Sequence, residues 1–287
     1  MKYTITGATG HLGSIVTQDM IKLAGANRIR AAVHTPTKAT HLTEQGVEVV
    51  KTDYLDIETM TNSFKDTDVL IYIPSKTYDL LQRVTEFENT LVAMKQANVT
   101  EIVFVSFYAD QENNPFTMSA YYGYVPRRLA ASGLKYAVIK NSLYADPLIP
   151  YLPELIERGH LIYPVGQEAL SFITQDDSAA AIANLAVKPE LRNNGQVYTV
   201  TQQQNYTMNE LGKIMTEVTG KPIGYAPVSV TDFAAIYAAE GDGAELGSMY
   251  QAGAMGLMDI VTTDFKKITG HDPEPMNEFL TAHYHED

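Results

Sequence analysis

The segment Gly7-Ala8-Thr9-Gly10-His11-Leu12-Gly13 constrains this chain more than any other. It follows a short β-branched run, Tyr3-Thr4-Ile5-Thr6, and precedes Leu12, Ile15, Val16, Met20 and Leu23 at helical spacing, so it reads as the turn of a strand-turn-helix unit. Each glycine there has its own reason to lack a side chain. Gly7 permits the tight exit from the strand, Gly10 lets backbone approach a pyrophosphate, and Gly13 lets the helix pack close to the sheet. The N–H groups of His11 and Leu12, with Thr9 beside them in the loop, face the anion, and the helix dipole adds partial positive charge at the same place. The expected ligand is a dinucleotide. No Gly-Lys-Ser/Thr follows, which disfavours a nucleoside-triphosphate loop, and a glycine turn serving packing alone is the competing reading.

The same alternation continues. Strand signals at Ile29–Val33, Val47–Val50, Val69–Ile73, Ile102–Phe107 and Tyr136–Ile139 are separated by helical stretches, the clearest of them Leu80–Gln96. Repeated βαβ units force parallel strands with helices on both faces, because each crossover is long and right-handed. After Pro147 the alternation weakens. Helical patterns at Ser178–Val187, Met208–Thr219 and Asp232–Ala239 then mix with strand-like Val197–Thr201 and Ile223–Pro227. The expected architecture is α/β, a Rossmann doubly wound parallel sheet over residues 1–150 and a smaller C-terminal α+β substrate lobe over 151–287.

Composition removes several chemistries. With 287 residues there is chain enough for a sizeable core, and with no Cys there are no disulfides, thiolate nucleophiles or Cys-ligated metals. A net charge of -13 opposes nucleic-acid phosphates and anionic lipid, so neither partner is expected. Gly7 stands too early for a secretory signal and no apolar run reaches membrane-spanning length, hence the expectation of a cytoplasmic protein, monomer or homodimer, acting on a small molecule.

One window runs against the overall charge. From Met20 to Thr43 there is no acid, while Lys22, Arg28, Arg30 and Lys38 are present. An NAD site usually carries a carboxylate about 20 residues past the glycine turn, and here the chain reads Ala32-Val33-His34-Thr35. His34 and Lys38, just past the second strand, are placed to meet a 2'-phosphate, whereas Arg28 and Arg30 enter that strand at its opposite end and are expected to be solvated. The window favours NADP(H), with NAD(H) possible. Asp53-Tyr54 follows the third strand and suits the adenine amino group, with Asp53 equally suited to cap the next helix. Ile73-Pro74-Ser75 follows the fourth and suits the adenosine ribose.

The glycine turn, Gly46-Val47-Glu48-Val49 to Asp53-Tyr54, and Asn141-Ser142-Leu143-Tyr144 resemble the NmrA-like branch of the atypical short-chain dehydrogenases/reductases. So do Phe172-Ile173-Thr174-Gln175-Asp176-Asp177-Ser178-Ala179, Gly195 to Val200, and Leu211 through Gly220 to Ser229, which carries the resemblance over nearly the whole chain. Within the branch the chain is most similar to the NADPH-dependent quinone oxidoreductase and triphenylmethane reductase group. The resemblance implies a cofactor in a cleft between core and lobe. The larger superfamily pairs Tyr and Lys as Tyr-x-x-x-Lys, the lysine lowering the tyrosine pKa for proton transfer. Here Tyr122 takes the tyrosine register and Pro126 the lysine register, so a lysine-activated tyrosine is not expected; Tyr124-x-x-x-Arg128 has the spacing but a displaced register. Ser106 stands where the superfamily often positions a carbonyl, and reads otherwise as a strand-end serine. Asn141 and Tyr144 match a pair near the nicotinamide, and with Tyr108 and Tyr122 they are expected to line the substrate cleft; Tyr108 is also counted toward the cofactor.

Such a pocket suits flat, electron-poor acceptors, and the expected activity is hydride transfer from nicotinamide to a quinone-like or aromatic acceptor. The alternative is a non-catalytic NADP(H)-sensing regulator of NmrA type acting through a protein partner, motivated by the missing lysine. Elsewhere no metal site is expected: His283 and His285 with Glu286 and Asp287 read as a fraying chain end. Gly241 to Glu245 reads as a turn, and Asp176 and Asp177 as capping and dipole residues of the following helix.

Overall fold

The computed structural model describes residues 1–285. In chain order its strands are β1 (Tyr3–Thr6), β2 (Ile29–Val33), β3 (Glu48–Lys51), β4 (Val69–Tyr72), β5 (Glu101–Phe107), β6 (Lys135–Asn141), β7 (Leu143–Tyr144), β8 (His160–Leu161), β9 (Ala169–Ile173), β10 (Val197–Val200), β11 (Asn205–Thr207) and β12 (Gly224–Tyr225). The helices are α1 (His11–Ala24), α2 (Thr40–Glu44), α3 (Ile57–Ser63), α4 (Leu80–Gln96), α5 (Ser119–Ala130), α6 (Leu148–Arg158), α7 (Gln175–Val187), α8 (Pro189–Arg192), α9 (Met208–Thr219), α10 (Val230–Ile236), α11 (Gly243–Ala254), α12 (Asp264–Thr269) and α13 (Met276–His283). A seven-stranded sheet runs β10-β6-β5-β4-β1-β2-β3. Its β1–β2, β1–β4, β2–β3 and β4–β5 pairs are parallel, and the order of the first six strands is that of a Rossmann sheet, reversing at β1.

The chain divides into two units, neither of them continuous. The first comprises Met1–Phe107, Tyr121–Lys140 and Ser178–Tyr198, and the second Tyr108–Ala120, Asn141–Asp177 and the chain from Thr199 onward. A single boundary near residue 150 does not describe this division. Most of α7, all of α8 and the start of β10 belong to the first unit, because a sheet edge at β6 is satisfied only by a strand that the chain supplies after residue 190.

In the first unit β1, β2 and β4 are buried along their whole length, as strands covered on both faces must be. Aromatic rings fill one side: Tyr72 stacks on Phe104 with centroids 5.8 Å apart, and Phe87 of α4 meets Phe104 edge-on at 5.5 Å. Arg30 corrects an expectation. It is 5% exposed rather than solvated. Its guanidinium donates to the carbonyls of Ser63 (3.0 Å) and Lys65 and pairs with Glu48 on β3 at 2.9 Å. A charge inside a sheet persists only with such partners.

The second unit carries the β11-β9-β7 sheet and the β12-β8 pair. Thr207 and Glu210 form a reciprocal capping box that starts α9. Asp176 and Asp177 lie inside the first turn of α7, where they complement the dipole, but the capping is done by others. The Thr174 hydroxyl accepts from Asp177 N at 3.1 Å, and Asp146 Oδ2 accepts from Gln175 N at 2.8 Å. Gly241 adopts a left-handed turn as expected, whereas Gly243 already belongs to α11, where a Cβ would stand 2.5 Å from the Ala234 carbonyl.

Candidate functional site

The glycine turn sits where β1 ends. Gly7 has φ +64°, a conformation open to glycine. At Gly13 a Cβ would fall 2.0 Å from the Gly7 carbonyl oxygen, so the first turn of α1 lies directly on the strand exit. The helix starts at Gly10 with no side-chain cap and no acid in its first turn, unlike α3 and α4, which Asp56 and Asp79 cap. Its leading N–H groups therefore have no anionic side chain of their own, the condition under which a helix start receives an external phosphate.

A cavity of about 420 Å³ opens against this turn, lined by Gly7, Thr9, Ala32, Val33, His34, Thr52, Asp53, Tyr54, Leu55, Ser75, Gln82 and Glu86. It lies at the carboxyl ends of β1, β2 and β3, the place at which an open α/β sheet binds its ligand. Of the residues singled out from sequence, Gly7, Thr9, His34, Asp53, Tyr54 and Ser75 share it. Lys38 is exposed in a short 3₁₀ turn over Pro36–Ala39 and is not among the lining residues. His34 Nε2 stands 3.8 Å from Asp53 Oδ2. Asp53 does not cap α3, since Asp56 accepts from Thr59 N at 3.1 Å; Asp53 Oδ1 instead accepts from Leu55 N at 2.9 Å and shapes the loop.

Tyr54 is held at both ends, its hydroxyl donating to Ile73 O at 2.5 Å and its carbonyl accepting from Asn89 Nδ2 at 3.1 Å. Burial pushes its phenol well up, so it stays a donor. Ile73 N in turn donates to Thr6 Oγ1 at 2.9 Å, which clamps the loop ending in Pro74-Ser75 to β1. Sequence reasoning misses Gln82 and Glu86. Glu86 is 2% exposed and accepts from Ser75 Oγ at 2.5 Å and Gln82 Nε2 at 2.9 Å. The signal lies in the stripe Arg83, Glu86, Phe87, Thr90, Met94, a buried face of α4 that includes two charged residues. An anion subsite at the glycine turn and a carboxylate with unused lone pairs at the other wall suit a ligand with phosphates at one end and hydroxyl or amino donors further along.

The residues expected at the reacting centre are distributed over both units. In the first, Ser106 ends β5 at 4% exposure, and its hydroxyl has no hydrogen-bond partner among the described residues. Tyr122 is half-buried on α5, its ring 5.3 Å from Tyr121 and 5.7 Å from Phe107. The Tyr124-x-x-x-Arg128 spacing is not a proton-transfer pair: both side chains bind Glu88, Tyr124 at 2.5 Å and Arg128 at 2.8 and 3.0 Å. In the second unit Asn141 is buried and donates to the Tyr144 hydroxyl at 2.8 Å. Tyr108 is 2% exposed, with its hydroxyl against Met258 O at 3.0 Å and Ser171 O at 3.3 Å. That placement packs the Tyr108 ring within the second unit. Among the described residues no group of His, Cys, Asp and Glu could hold a metal; Glu286 and Asp287 lie outside them. Among the described residues no helix is long and apolar enough to cross a membrane.

Known proteins are similar to this chain over nearly its whole length. Quinone oxidoreductase 2 of Escherichia coli (strain K12) is 31% identical over 96% of this chain and 96% of its own length. The crystal structure of the E. coli NADPH-dependent quinone oxidoreductase complexed with NADPH superposes with a TM-score of 0.90 at 28% identity, covering 98% of this chain and 99% of that one. Triphenylmethane reductase of Citrobacter sp., complexed with NADP(H), gives 0.92 at 25% identity, covering 99% and 100%. A Staphylococcus aureus structure described as a nucleoside-diphosphate-sugar epimerase gives 0.93 at 38% identity, covering 98% and 100%. The NmrA-like family model matches residues 1–280. With the glycine turn, the sheet order and the matched length in agreement, the chain belongs to the NmrA-like family.

Proposed function

We propose that this protein is an NAD(P)H-dependent oxidoreductase that takes NADP(H) and reduces a quinone-like or aromatic acceptor. The observation that carries the reading is the cavity built on Gly7 and Thr9, with His34 beyond β2 and no acid between Met20 and Thr43. The residues present fit a dinucleotide: the cap-free α1 start takes the diphosphate, His34 with Lys38 the 2'-phosphate, and Ser75 with Glu86 the donors of a ribose. Asp53 and Tyr54 are assigned to the adenine end, with Ile73-Pro74 in the loop that precedes Ser75. The bound nicotinamide supplies a hydride. Tyr122, Ser106, Asn141 and Tyr144 are the residues assigned to the acceptor. The names of the E. coli and Citrobacter relatives support this class of acceptor. We place the protein in the cytoplasm as a monomer or homodimer with no nucleic-acid partner, in keeping with a net charge of -13.

The test mixes protein and NADPH with a panel of quinones and triphenylmethane dyes and follows nicotinamide absorbance. Net oxidation is expected with at least one acceptor. Cofactor binding without oxidation across the panel would replace the enzyme by the regulator. An epimerase, as the S. aureus neighbour is described, returns its hydride to the sugar and produces no net oxidation, so conversion of a nucleotide sugar without change in absorbance would establish that chemistry instead. For the cofactor, His34→Ala with Lys38→Ala is expected to weaken NADPH binding by roughly tenfold, the worth of a charge-assisted hydrogen bond. NADH binding should move less than about twofold, since the pair meets only the extra phosphate. Equal losses for both dinucleotides, read by fluorescence titration, would remove these residues from the phosphate.

A further inference from the structure

Strands β2 and β3 pair in parallel as far as Val33 and Lys51, and one further bond, from Thr52 N to Val33 O at 2.9 Å, carries the pairing past the end of β3. The residues that follow, His34 and Asp53, leave the sheet side by side. His34 Nε2 stands 3.8 Å from Asp53 Oδ2, and both residues line the cavity at the glycine turn. The carboxylate is fixed by its own loop: Asp53 Oδ1 accepts from Leu55 N at 2.9 Å, and Thr59 Oγ1 accepts from Asp53 N at 3.1 Å. His34 is held more loosely, its side chain 77% exposed against 41% for Asp53 and its Nδ1 3.3 Å from Thr35 Oγ1. Of the described residues that line the cavity, His34 alone can carry positive charge, whereas Asp53 and Glu86 are acidic. Lys38 on the 3₁₀ turn and Lys51 at the end of β3 are exposed and lie outside the lining.

We propose that Asp53 sets the choice between the two dinucleotides, by serving a free 2'-hydroxyl itself and by competing with a 2'-phosphate for His34. This rests on the dinucleotide reading above and concerns which dinucleotide the same cavity prefers. The two groups at the 2' position differ in kind. A ribose hydroxyl is a donor, and its usual acceptor is a carboxylate about 20 residues past the glycine turn, at the exit of the second strand. In this chain that exit holds His34, and the carboxylate arrives instead from the exit of the third strand. A phosphate monoester is an acceptor carrying about -1.5 to -2 charge at pH 7. It draws on the His34 N–H that Asp53 already faces, and it meets the Asp53 charge at close range. One pair of residues therefore pulls in two directions: His34 favours NADPH, Asp53 favours NADH, and both dinucleotides bind. Since both side chains reach solvent, the discrimination between them is modest.

The experiment titrates each dinucleotide into wild type, Asp53→Asn and Asp53→Ser and follows nicotinamide fluorescence. Both substitutions remove the charge and keep an oxygen able to accept from Leu55 N, so the loop is retained, which the melting temperature checks. In each variant NADPH should bind roughly threefold more tightly and NADH roughly threefold more weakly, the size expected for one exposed charge pair lost and one charge-assisted hydrogen bond weakened. The ratio of the two Kd values then moves by roughly tenfold. In a His34→Ala background the NADPH gain should shrink, because no ring is left to compete for. Should Asp53→Asn fail to fold, Asp53→Ser still decides. Changes of equal size and sign for both dinucleotides, as a contact with adenine or a role confined to the loop would give, overturn the proposal. So does an NADPH gain undiminished without His34. Wild-type protein that binds neither dinucleotide overturns the dinucleotide reading itself.

Discussion

Gly13→Ala is expected to lower dinucleotide affinity by more than roughly 100-fold, since displacement of a binding element by about an ångström is enough for a loss of that order. The new Cβ would stand 2.0 Å from Gly7 O, 2.8 Å from Gly7 C and 3.1 Å from Ala8 Cα, all backbone atoms with no rotamer to give way. Either α1 lifts from the strand exit or the turn deforms, and both displace the N–H groups proposed to meet the diphosphate. Gly10→Ala is the internal comparison. Its Cβ would meet only Gly7 O at 3.3 Å, so the fold tolerates it and the loss should be smaller. Fluorescence titration of both variants, with circular dichroism to confirm the helix content, measures the difference; equal losses would contradict the packing argument.

The second large effect concerns stability. Arg192 is fully buried at the end of α8, its Nε and Nη2 on Glu101 Oε2 of β5 at 3.0 and 2.8 Å and its Nη1 on Ala186 O. Asn193 joins the same carboxylate oxygen at 3.0 Å. This group ties the returning segment Ser178–Tyr198 to the sheet of the first unit. Arg192→Ala leaves a largely buried carboxylate with only the exposed Lys135 ammonium, 3.4 Å away, as its cation, which costs about 3 kcal/mol, the lower end for a broken buried pair. The expected fall in melting temperature is on the order of 10 °C. Burial alone would raise the Glu101 carboxyl, but Arg192 and Asn193 outweigh it and hold it below the ordinary range. A depressed carboxylate stabilises the fold above its unfolded pKa and loses that contribution as the pH falls through its folded value. The gap between wild type and Arg192→Ala should therefore be widest near neutrality and narrow below about pH 4. A gap independent of pH would show that packing of the arginine stem, and not its charge, does the stabilising.

Much of the first unit is legible without coordinates. Period-2 and period-3.6 patterns place β1 and α4, and in the second unit α9, at their observed bounds, because each is long or strongly patterned enough for local preference to agree with burial. The glycine turn is legible for a stronger reason: the positive φ at Gly7 favours glycine, and at Gly13 no side chain fits against the backbone of the strand exit. Short elements are not. β12 is two residues, Gly224–Tyr225, within the strand-like stretch Ile223–Pro227, since its extent is set by β8 and not by its own propensity. Arg30 shows the same limit for a side chain. An arginine at the start of a strand reads as solvated, and only the positions of Ser63, Lys65 and Glu48 make its burial tolerable.

By itself the sequence determined the parallel sheet and the glycine turn, since these follow from local conformation and hydrophobic period, and its motifs carried the resemblance to the family. Tertiary structure alone decided three things. It returned Ser178–Tyr198 to the first unit, through an edge strand and the Arg192–Glu101 contact separated by 91 positions in the chain. It brought Gln82 and Glu86 into the cavity beside His34 and Asp53. And it set Arg83 of α4 over the Tyr121 ring of α5, 5.3 Å from its centroid. Spacing along one helix can be read from a sequence, whereas a charge delivered from a neighbouring helix depends on how two faces meet, which no local pattern encodes.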